Sequence, residues 1–192
     1  TIEGSFAGLL LRAFLSPDLS IRIAMKGSIM FDRGVLFVGS GGIGLGVLAE
    51  ALTLDCQRKS AGPMPLRVYS ATMNETTETD SVLVRAMERM GLDTSGLSLK
   101  PLALYAFAGA PRIDHVVMLG ASLPAATRLA LGDAVDVRNW DVEAPKGGDT
   151  TPSGRYMHYM KLAEALRAPV AALVTKLTSM DGVAADAVAN SA

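Results

Sequence analysis

Short apolar runs alternate with stretches of helical spacing from Val35 onward. The runs Val35-Leu36-Phe37-Val38, Leu66-Arg67-Val68-Tyr69, His115-Val116-Val117-Met118-Leu119 and Ala134-Val135-Asp136-Val137 predict strands. Between them, helices are predicted from Val47 to Leu54, from about Glu78 to Met90 with Gly91 as C-cap, and from Pro124 to Leu131. Tyr156 to Leu177 predicts a long closing helix, with a break expected at Pro169. Strict alternation of this kind predicts an α/β fold: a parallel four-stranded sheet with helices on both faces, joined by right-handed crossovers.

Upstream, Phe6, Leu9, Leu10, Ala13 and Phe14 fall on one face of a helix ended before Pro17. This extra N-terminal helix needs a surface to cover, either on its own domain or on a partner. Phe6, Leu9, Leu10 and Phe14 are therefore candidate interface residues. Residues Ser20 to Met30 are apolar without a clean period. The expected organisation is a helical extension over 1–33, an α/β domain over 34–180 and a tail over 181–192.

Composition narrows the function classes. Eighteen basic and nineteen acidic residues give a formal charge of −1, so no whole-chain field favours nucleic acid or an anionic membrane. The single cysteine, Cys56, excludes an internal disulfide framework and multi-thiolate zinc sites, and points to a reducing compartment. No apolar run reaches the roughly 18 residues that span a bilayer. The expectation is a cytoplasmic protein with no membrane or nucleic-acid partner and no metal. Usage rich in Ala, Gly and Leu suggests a bacterial source. His115 and His158 have no Ser, Cys or carboxylate pattern around them that would make a triad legible, and fit a core or surface role.

The segment Gly39-Ser40-Gly41-Gly42-Ile43-Gly44-Leu45-Gly46 sits between predicted strand and helix, and its first six residues satisfy the dinucleotide fingerprint. An NAD- or NADP-binding oxidoreductase would then need an acidic residue at the tip of the second strand to hold the ribose hydroxyls. That tip is Ser70-Ala71-Thr72; Asp55 lies within the first helix and Glu75 well past the strand.

A second comparison rests on several segments together. Val35-Leu36-Phe37-Val38, the glycine loop and Val47-Leu48-Ala49-Glu50-Ala51-Leu52 resemble the strand, phosphate loop and "MAEAL" helix that open the low-molecular-weight protein tyrosine phosphatase and arsenate reductase family. Tyr69-Ser70-Ala71-Thr72 stands where that family has "SAGT", and the stretch from Ala86 to Lys100 resembles "AMAEIGIDISGHRSK". Asp114 to Met118 resembles its "DVVVTM" strand, and Trp140 to Pro145 its "WxxxDP" loop. The pieces keep the family order and imply the phosphotyrosine protein phosphatase I-like fold.

The resemblance also implies what is missing. In the family a thiolate opens the loop and attacks phosphorus, an arginine closes it and grips the equatorial oxygens, and an aspartate protonates the leaving group. By position these are Gly39, Leu45 and Ala144. Glycine offers no nucleophile, leucine no bidentate charge-assisted bond, and alanine no proton. The loop asparagine falls at Gly42, a second cysteine at Gly44 and the thiolate-steadying hydroxyl at Gly46. Cys56, more than two turns along the helix, cannot substitute. The implied protein is a degenerate family member with no catalytic residue and no cofactor, acting through a protein partner or a second copy. Residues 39 to 46 remain a candidate nest of backbone N–H groups for a weakly bound phosphate-like anion.

Overall fold

The computed structural model describes residues 33–39, 44–60, 66–73, 78–120, 122–132, 134–142 and 151–179, together with the backbone of two short upstream strands and of helix residues 180–189. The Phe6–Phe14 segment lies outside the described residues. Within the stretch that showed no period, β1 (Ile21–Ile23) pairs antiparallel with β2 (Ile29–Phe31), Ile21 opposite Phe31.

The central sheet begins at β3 (Gly34–Gly39), every residue of which is buried, as a strand flanked on both edges and covered on both faces requires. It pairs in parallel with β4 (Arg67–Thr72) on one side and β5 (His115–Leu119) on the other, and β6 (Asp136–Trp140) closes the second edge. The order β4-β3-β5-β6 is all parallel, as the alternation predicts. Helix α1 (Leu45–Lys59) follows β3, α2 (Ser81–Arg89) and a 3₁₀ turn (Leu102–Tyr105) follow β4, and α3 (Ala125–Leu131) links β5 to β6. A 38-residue helix, α4 (Pro152–Ala189), ends the described chain.

Most differences from the sequence expectation are at ends. The fourth strand runs from Asp136 instead of Ala134, because Val135 is buried ahead of the ladder under one face of the sheet. The boundary expected at 180 falls inside α4, which continues to Ala189. Pro169 does not end that helix. An interior proline costs about 3 kcal/mol, but Val170, Leu173, Val174 and Leu177 beyond it are all buried, each contributing about 1.5–3 kcal/mol. Burial wins.

The sheet separates two cores. Val35, Phe37, Val117 and Leu119 face α1, α2 and α4; Leu36, Val38, Val116 and Met118 face Leu102, Tyr105, Ile113 and Val135. Coverage is uneven, since α3 fully buries none of its residues.

Asp80 fastens α2 to α4. Its carboxylate accepts from Val82 N at 2.9 Å, capping α2, and from the buried Tyr159 hydroxyl at 2.9 Å, with Arg155 Nη1 3.2 Å away. Burial first, and then the bond to Asp80, push the Tyr159 phenol well above its ordinary value. Asp80→Ala removes a cap and strands a buried hydroxyl, so it should lower stability by about 2–4 kcal/mol in urea unfolding, whereas Asp80→Asn, which can still cap and accept, should lose less than half of that.

Candidate functional site

The C-terminal ends of the strands form one row: Gly39 is opposite Thr72 and Leu119, and Leu119 opposite Trp140. The glycine loop leaves the middle of that row, where an α/β sheet presents its ligand crevice. Four of its positions, Gly39, Gly44, Leu45 and Gly46, are described, and all four are buried. Ser40 to Ile43 and Ala144 lie outside the described residues.

Each described position is shaped by crowding. At Gly46 a Cβ would stand 2.9 Å from Phe37 O, 3.1 Å from Ala71 O and 3.3 Å from Ser70 Cβ. The first turn of α1 therefore rests directly on the ends of β3 and β4, with no room for a side chain. Gly44 has φ 74°, which favours glycine, and a Cβ there would press on the end of the Leu83 side chain, 2.8 Å from Cδ2. Gly39 is tighter than ordinary, its Cβ position 3.3 Å from Gly46 N. Leu45 is 1% exposed and belongs to the core shared by α1, α2 and α4, so the side chain at the arginine's position is part of the hydrophobic core. Gly44 supplies no side-chain cap to α1, whose first turn carries no acidic residue.

Behind the loop lies a polar group that the sequence reading missed. Glu50, on the second turn of α1, is 9% exposed, and Ser70 Oγ donates to its Oε2 at 2.5 Å. The Tyr105 hydroxyl donates to Ser70 O at 3.2 Å, and the Tyr105 and Tyr69 rings meet at 5.8 Å. Burial raises the Glu50 pKa above its ordinary 4.5, against the opposing pull of the Ser70 bond and Lys100. Burial, then the charges of Glu50 and Tyr69, push Tyr105 up to about 12. The one available sequence signal was a glutamate inside an otherwise apolar helical face. Its partner twenty residues away becomes visible only once β4 is placed beside β3.

The remaining candidates disperse. Cys56 is half-buried near the end of α1. His115 stands at the opposite end of the sheet, its Nδ1 3.3 Å from Asp136 Oδ2. Trp140 packs on Phe37 with ring centroids 5.8 Å apart, and with His158 it lines a cavity against α4. Among the described residues no group of three His, Cys, Asp or Glu side chains is placed to hold a metal, and no helix is long and apolar enough to cross a membrane.

Because the folded pKa of Glu50 is raised, folding favours its protonated form: the contribution is fully present below the unfolded value and is lost as pH rises through the folded one. Glu50→Gln should accordingly raise the unfolding midpoint at about pH 7.5 and leave it nearly unchanged at about pH 4. Thermal melts of parent and variant across that range check it, and a variant no more stable than the parent at neutral pH would contradict it.

No protein-family model matches the chain, and no curated protein sequence matches it. Solved structures do. An arsenate reductase in its oxidized state is 20% identical with a TM-score of 0.55, covering 75% of this chain and 98% of its own. A low-molecular-weight phosphotyrosine phosphatase from Vibrio cholerae O395 is 16% identical with a TM-score of 0.53, covering 76% and 96%. A protein tyrosine phosphatase from Entamoeba histolytica is 15% identical with a TM-score of 0.54, covering 78% and 99%. With its four parallel strands in the order β4-β3-β5-β6 and a glycine loop at the end of β3, the chain has the fold of the low-molecular-weight phosphatases and arsenate reductases.

Proposed function

We propose that this chain is a non-catalytic domain of the low-molecular-weight phosphatase fold that acts through protein contacts or regulation, retaining at most weak affinity for a phosphate-like anion at residues 39–46. The observation that carries the reading is the packing of the loop. Phosphoryl transfer needs a nucleophile at 39, a guanidinium at 45 and a proton donor at 144, and the chain has Gly39, Leu45 and Ala144. Leu45 is committed to the core and Gly46 has no space for a hydroxyl, so the neighbourhood is built around the absence of those groups. The dinucleotide alternative gains nothing here: β4 ends in Ser70-Ala71-Thr72, with no carboxylate for a ribose.

The purified protein should give no saturable turnover of an aryl phosphate and none of arsenate with thiol, and NAD(H) should give no calorimetric heat of binding. Saturable turnover would sink the reading. Leu45→Arg should not restore activity. It places an unpaired cation in the core and should cost about 3–5 kcal/mol of stability, measured by urea unfolding; a variant as stable as the parent, with phosphate affinity restored, would show that the loop can still open.

The partner is sought at the Phe6–Phe14 stripe. Leu10→Asp should reduce the mass seen by light scattering while leaving the circular dichroism of the domain unchanged. A monomeric parent, with Leu10→Asp lowering only its melting temperature, would place the stripe on its own domain.

A further inference from the structure

The edge of the sheet holds a cavity that the loop chemistry leaves unused. Its volume is about 540 Å³, within the range that takes a small molecule, and it lies between the end of β6 and one face of α4. Trp140 stands two strands from Gly39 along the row of strand ends, roughly 10 Å away at sheet spacing. The cavity is thus distinct from the glycine loop.

Its floor is apolar, with Trp140, Val142, Leu162 and Leu166 contributing. The α4 wall is a stripe with helical spacing, from His158 through Lys161 and Ala165 to Pro169. Pro169 has no N–H, so the Ala165 carbonyl four residues earlier loses its helical donor, and both residues line the space.

Its lysine is unengaged: Lys161 makes no ion pair among the described residues, and the nearby Glu164 turns instead to Arg167 at 3.4 Å. Beside it the lining has the donor-only Trp140 indole, the Asn139 amide, which both donates and accepts, and the Asp141 carboxylate. A carboxylate, which only accepts, suits Lys161 and the indole N–H; an apolar body suits the aromatic floor. We propose that this cavity binds a small carboxylate with an apolar body, the carboxylate held at Lys161 and the body against Trp140.

Trp140 is the one tryptophan of the chain, so its emission reports occupancy directly. Three probes share one body and differ in the head group: 3-phenylpropionate, 3-phenylpropylamine and 3-phenylpropanol. Emission should change saturably with 3-phenylpropionate, half-maximally at about 1 mM, and at least about tenfold more weakly with the amine and the alcohol. Lys161→Gln, at an exposed position, should fold and melt as the parent does and lose the preference for the carboxylate. Inorganic phosphate at the same concentrations should leave the emission unchanged, separating this site from the loop. No saturable change, equal response to all three probes, an undiminished preference in Lys161→Gln, or a phosphate response of equal size would each overturn the proposal.

Discussion

The close approach of α1 to the sheet at Gly46 is the constraint on which the rest of the structure depends. With Phe37 O, Ala71 O and Ser70 Cβ within 3.3 Å of where a side chain would begin, the first turn of α1 lies on the backbone of β3 and β4. That approach puts Leu45 into the core beside Leu48 and Leu83, a burial contributing about 1.5–3 kcal/mol. An arginine at the same place would need solvent or an anion to offset its desolvation. Leu45 thus makes core contacts at the start of α1, the position to which the family resemblance assigns an arginine.

Glu50 follows from that closeness. It is carried on α1 into the space behind the loop, where a carboxylate is costly to bury unless it is bonded. Ser70 supplies the bond, and Tyr105 in turn bonds the Ser70 carbonyl, so the group is satisfied without water or a ligand. Among the described residues next to it, Gly39 and Leu45 offer neither a nucleophile nor a charge for it to steady. A buried acid with a raised pKa marks an active site only when a reacting group lies within reach. The effect its surroundings support is one on stability.

What could be read from the sequence was what depends on local pattern. Val35 to Val38 and Val116 to Leu119 are uninterrupted apolar runs, and central strands of a parallel sheet are buried on both faces, so run and strand nearly coincide. At the edge the rule weakens. β6 has Asp136, Arg138 and Asn139 among its five residues, and its boundary was displaced because Val135, apolar but outside the ladder, continued the pattern upstream. The caps and polar links were hidden for another reason. Asp80 to Tyr159 spans 79 positions and Ser70 to Glu50 spans 20, and neither pair has a local spacing to recognise. The glycine loop was legible as a loop, but the crowding at Gly46 was not, since that is a property of the distance between α1 and two strand ends.

The same contrast between centre and edge explains where empty space survives. A central strand is hemmed by two neighbours and two helical layers, so little space is left beside it, as at Gly46, where the Phe37 and Ala71 carbonyls fill the place of a side chain. β6 has a neighbour on one side only, and above it α4 carries Pro169, which cannot donate a helical hydrogen bond. Buried residues on both sides of the proline, from Tyr159 to Leu177, anchor α4 to the core, so the helix cannot swing toward β6 to fill the gap without losing them. Space therefore survives at the sheet edge while none is left at Gly46, because an edge strand is enclosed on fewer sides than a central one.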